Sequence, residues 1–140
     1  MTSAPSPETG PFVAMAVFCQ RLDRQADGTV DVVGVVDGVS VSPPDVDPLA
    51  APAMIRLLGL VSVRAGALRG RHVLSLKAHF PGGEQGPALV RPIEFTDLAP
   101  GATLSFPLEL EARDAGLYWF DVFFNDHPLT RIPLIVEHAA

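Results

Sequence analysis

The stretch Asp114-Ala115-Gly116-Leu117-Tyr118-Trp119-Phe120-Asp121-Val122-Phe123-Phe124-Asn125 constrains this chain most, because a turn and a strand meet within it. Asp114 and Gly116 supply turn chemistry: a short carboxylate bonds nearby backbone, and glycine accepts positive φ at no steric cost. Side chains alternate across a strand, so Tyr118, Phe120, Val122 and Phe124 share one face. Leu117, Trp119, Asp121 and Phe123 share the other. So much aromatic surface demands an opposing layer, and the stretch therefore predicts a sheet with a core on at least one side.

The spacing Asp114-x-Gly116-x-Tyr118 resembles the tyrosine corner of immunoglobulin-like sandwiches, in which the hydroxyl bonds back to upstream backbone while the ring enters the core. The resemblance implies a structural role for Asp114, Gly116 and Tyr118. Phe120 stands where antibody domains carry their second cysteine, which excludes the disulfide form of that fold. The single cysteine, Cys19, cannot close an internal bridge and fits a reducing compartment.

The remaining chain reads as strands and turns. Residues 12–22 and 29–41 are β-prone arms around a polar turn and are expected to form a hairpin, with Gly34 and Gly38 marking bulges or close backbone approach. The proline-broken segment 42–52 is long enough to cross between two sheets. Segments 54–64 and 71–80 read as a second pair. Segment 89–95, interrupted by Pro92, reads as an edge strand. Leu104, Phe106, Leu108 and Leu110 alternate with Ser105, Pro107, Glu109 and Glu111, as a half-exposed strand does. Asn125-Asp126-His127-Pro128 makes a tight turn before a last strand with Ile132, Leu134 and Val136 inward. Strands separated by turns about every 8–12 residues predict an all-β fold. The expected form is a two-layer antiparallel Greek-key β-sandwich of about eight strands, immunoglobulin-like in its corner.

A chain of 140 residues can bury about two-thirds of its unfolded surface, so residues 12–138 are expected to form one domain without a metal or a disulfide. Residues 1–11, rich in proline and small polar residues, read as a disordered tail.

The motifs Cys19-Gln20, Asp27-Gly28, Gly34-Val35-Val36-Asp37-Gly38-Val39 and Gly116-Leu117-Tyr118-Trp119-Phe120, taken in order, resemble an uncharacterised bacterial family of small β-sandwich proteins, a domain of unknown function. The resemblance covers most of the chain. It implies a fold and no chemistry.

A net charge of −6, with Lys77 the lone lysine, argues against nucleic acid or anionic membrane as a partner, since both require clustered cations. No apolar run approaches the roughly 20 residues of a membrane span, and a soluble, cytoplasmic protein is expected. His72, His79, His127 and His138 form no close pair of the kind a metal site announces. Asp37, Asp45 and Asp47 are too sparse for a calcium loop. Cys19 lies in an apolar strand without a nucleophile signature, and no phosphate loop or serine elbow occurs. The expectation is therefore no enzyme, no cofactor and no metal.

What stands out is aromatic surface on both faces of one strand. Leu117, Trp119, Asp121 and Phe123 are the expected interface of a non-enzymatic protein-interaction or structural module that forms a homodimer or docks another protein. Cover of this patch by the 42–52 loop is the competing explanation. The alternative function is a sandwich that binds a small ligand or calcium through loop acids near His127, the small molecule being unknown.

Overall fold

Alternation of apolar side chains between frequent turns leaves strands as the only regular elements among the described residues. The computed structural model describes residues 9–41, 53–112 and 114–138. Nine strands occupy them: β1 (Phe12–Arg24), β2 (Val30–Val36), β3 (Gly38–Val41), β4 (Ala53–Arg64), β5 (Gly70–His79), β6 (Gln85–Phe95), β7 (Gly101–Ala112), β8 (Gly116–Phe124) and β9 (His127–His138). They form a four-stranded sheet in the order β2-β1-β4-β7 and a five-stranded sheet in the order β3-β9-β8-β5-β6.

This is an immunoglobulin-like sandwich by its topology. β4 and β7 take the B and E positions of one sheet, while β5, β8 and β9 take the C, F and G positions of the other. Among the described residues, the chain passes from β6 to β7 with no strand in the D position beside β7. Both β6 and β7 are therefore sheet edges among the described residues; β6 carries Pro87 and Pro92, and β7 carries Pro107. Pro92 confirms the edge expected from the sequence.

The two sheets meet over a core in which Phe18 from β1 packs edge-to-face on Phe120 from β8, with centroids 4.8 Å apart, and also touches Phe106 from β7. An aromatic contact thus joins the layers in a fold whose antibody members use a disulfide. Ile132, Leu134 and Val136 face this core, as their spacing predicts.

Three expectations are corrected. Residues 29–41 do not form one return arm: β2 stays beside β1, but after Asp37 the chain changes sheets and β3 pairs with β9. Gly34, at φ +69°, bends the arm where a Cβ would stand 2.6 Å from the Gln20 side chain. With this split the described residues hold nine strands, in keeping with the expected sandwich of about eight. The β3–β9 pair is also parallel, a departure from the otherwise antiparallel pairing. Finally, segments 54–64 and 71–80 are not partners. β4 lies between β1 and β7, β5 lies between β8 and β6, and the turn between them crosses from sheet to sheet.

Candidate functional site

β8 lies in the interior of the five-stranded sheet, flanked by β9 and β5, and its two faces have different fates. Tyr118, Phe120, Val122 and Phe124 are all buried in the core. The Tyr118 hydroxyl donates a 2.7 Å hydrogen bond to the Asp114 carbonyl, closing the corner between β7 and β8. Burial pushes the phenol pKa up, and the nearby Asp114 carboxylate adds to that shift. Gly116 has φ +138°, and a Cβ there would meet the Pro81 ring at 3.0 Å. The corner is thus held by the Tyr118 hydroxyl on the Asp114 carbonyl and by the left-handed backbone of Gly116.

Leu117, Trp119, Asp121 and Phe123 occupy the solvent side of the same sheet. Cross-strand neighbours extend the surface: Leu117 faces Ile135, Trp119 faces His79 and Pro133, Asp121 faces Lys77 and Arg131, and Phe123 faces Ser75. Asp121 organises its centre. One carboxylate oxygen receives the Arg131 Nε–H at 2.5 Å, and the other lies 2.9 Å from His79 Nε2, with Asp121 only 16% exposed. The Arg131 guanidinium also lies over the Trp119 ring, 4.8 Å from its centroid. A half-buried carboxylate is stabilised by such partners, and an arginine stacked on indole adds a cation–π attraction.

Around this polar band the surface is apolar. Trp119 and Phe123 are half-buried, whereas Leu117, Ile135, Val73 and Val90 are exposed. His79 and Asp121 are two parts of a general-base arrangement, but no hydroxyl or thiol among the described residues bonds to His79, so the pair lacks a nucleophile. Reasoning from sequence missed His79, Arg131 and Ile135. The inward assignment of Ile132, Leu134 and Val136 already places Arg131 and Ile135 outward; only the strand pairing brings them beside Trp119.

The other candidate residues lie elsewhere. His72, on the opposite face of β5 from His79, packs between Phe95 and Phe124. Its Nε2 donates to the Arg69 carbonyl, and its Nδ1 accepts from the Asn125 amide, which fixes the tautomer. His127 and His138 are exposed at the two ends of β9. Asp45, Asp47 and the 42–52 loop lie outside the described residues, as does the tail up to residue 8. No group of three or more potential metal ligands occurs among the described residues. Cys19 is buried, and desolvation pushes its thiol pKa up.

No family model matches the chain, and no curated protein matches it. Among solved structures, it is similar to an immunoglobulin-like protein from Pseudomonas aeruginosa, at 12% identity and a TM-score of 0.47, over 93% of this chain and 98% of that one. It is also similar to a glycosyl hydrolase family 2 member from Bacteroides cellulosilyticus, at 9% identity and a TM-score of 0.45, over 62% of this chain. The match spans 13% of that larger chain. Neither likeness carries chemistry over to this chain.

Proposed function

We propose that the chain is a non-enzymatic protein-interaction module that associates with a second copy of itself through the outer face of the five-stranded sheet. The carrying observation is the cross-strand pair Leu117 and Ile135, 38% and 45% exposed, beside half-buried Trp119 on the solvent side of a sheet whose other side is core. Val73 and Val90 extend the apolar surface along β5 and β6. Finishing the burial of such half-covered side chains gains about 1 kcal/mol each, which supports association of modest affinity once the cost of immobilising two bodies is met. Lys77 faces Asp121 across the strands and has no ion-pair partner among the described residues, so it offers a charge that a partner can engage.

Light scattering on the wild-type chain and on the double variant Trp119→Ser/Phe123→Ser tests this reading. The expected result is a dimer for the wild type and a folded monomer for the variant. A wild-type monomer at micromolar concentration, with blue-shifted emission from its single tryptophan, would defeat it. So would a variant that loses stability without changing mass.

A further inference from the structure

The missing D-position strand has a chemical consequence at the opposite side of the molecule from β3. β6 and β7 follow one another in the chain but close different sheets, and between them the sandwich gapes. The gap is a cleft of about 200 Å³ lined by Leu76, Leu89, Phe106, Leu108 and Phe120, with a narrower extension of about 40 Å³ that shares Leu76, Leu89 and Phe106. A dry apolar cavity of roughly 150 Å³ already admits a benzene-sized guest.

Arg91 lines that extension. It stands between Leu89 and Ile93 in the alternation of β6, and Ile93 is 6% exposed, so Arg91 occupies a core-facing position on an edge strand. Among the described residues its guanidinium bonds only the Val90 carbonyl, at 3.2 Å, and no carboxylate reaches it. Glu109 also lines the larger part of the cleft, where its carboxylate pairs with Arg56 on β4 at 3.8 Å, and it does not line the extension that Arg91 borders. An exposed arginine with no carboxylate partner among the described residues thus borders one end of a slot lined mainly by hydrocarbon.

We propose that this cleft binds an anionic amphiphile of the alkyl carboxylate class. Its hydrocarbon lies between the sheets, and its carboxylate takes the Arg91 guanidinium. Two prolines favour this occupant over a peptide strand. An edge strand tolerates proline where the missing N–H faces away from the sheet, so Pro92 and Pro107 each remove a donor that an added strand would need. An alkyl chain needs no donor. The proposal uses neither the outer sheet face nor a second copy.

Titration of the full chain with dodecanoate, below its micelle concentration, tests the site by calorimetry and by amide chemical shifts. Saturable binding is expected, with shifts centred on Leu89, Phe106 and Leu108. Arg91→Gln should weaken dodecanoate about tenfold, the loss of one charge-assisted hydrogen bond, while leaving dodecanol unchanged. Ala88→Trp, at the exposed rim of the cleft, should block both ligands. Because the wild-type shift map locates the ligand by itself, the proposal stays testable even if a variant fails to fold. Absence of saturable binding would overturn it, as would shifts centred on Trp119. Equal affinity of Arg91→Gln and wild type for dodecanoate would also overturn it, and would leave Arg91 as a charge that only keeps the edge unpaired.

Discussion

The Phe106 ring fills the space above Gly59, its cross-strand partner on β4, so closely that a Cβ at Gly59 would stand 2.2 Å from the ring's Cζ. Gly59 is buried, and from this seat Phe106 reaches Phe18, 6.5 Å away, at the junction of the two sheets. Alanine normally gains over glycine by restricting the unfolded chain. Here the overlap dominates, and Gly59→Ala is expected to lose roughly 1–3 kcal/mol in urea unfolding. An unchanged or raised midpoint would mean that the ring turns aside at no cost.

Tyr118→Phe leaves the Asp114 carbonyl without its partner at a part-buried site. The expected loss is roughly 1–3 kcal/mol, and a change under about 0.5 kcal/mol would place the hydroxyl in solvent. The same residue titrates visibly, because it is the only tyrosine in the chain and its ultraviolet absorbance reports one group. Burial raises its folded pKa above the ordinary value of 10.0. The unfolded chain therefore releases this proton first as pH rises. The stabilisation is complete below the unfolded pKa and is lost as pH climbs through the folded one. Wild type should weaken above about pH 10 more steeply than Tyr118→Phe, and parallel curves would refute the assignment.

Asn125 holds the β8–β9 turn at φ 45°, and Asp126 follows at φ 69°. Its backbone N–H donates to the Val73 carbonyl, its side-chain oxygen accepts the Val73 N–H, and its amide donates to His72. Asn125→Gly keeps the left-handed backbone but abandons both side-chain bonds. About 1–2 kcal/mol of stability should go, with faster amide exchange at Val73. Unchanged protection at Val73 would show that the bond to the Asn125 side-chain oxygen is not what shields its N–H.

How much of this was legible follows from the range of each cue. The two faces of β8 are readable because the period of a strand does not depend on its neighbours, and Tyr118 and Trp119 accordingly fall on opposite sides. Pairing is another matter. The turn after β4 looks like a hairpin turn, and nothing local distinguishes a hairpin from a crossing between sheets, so the sequence pairs β4 with β5 although they lie in different sheets. The His79–Asp121–Arg131 cluster draws on three strands and has no local spacing to betray it. Arg91 was overlooked for a related reason: a core-facing charge has meaning only once the sheet beside it is known to end.

The parallel pairing of β3 with β9 sets a timetable for the fold. Gly38 meets Ile135 across most of the described chain, so forming this pair means closing the longest loop of any strand pairing among the described residues, and only four residues of an edge strand repay that entropy. Hairpins such as β8–β9 close short loops by comparison. β3 is therefore expected to dock last during folding, and native-state exchange should release the Val39 and Val41 amides ahead of those in β4 and β8. The segment that ties one sheet to the other would then be the first to let go.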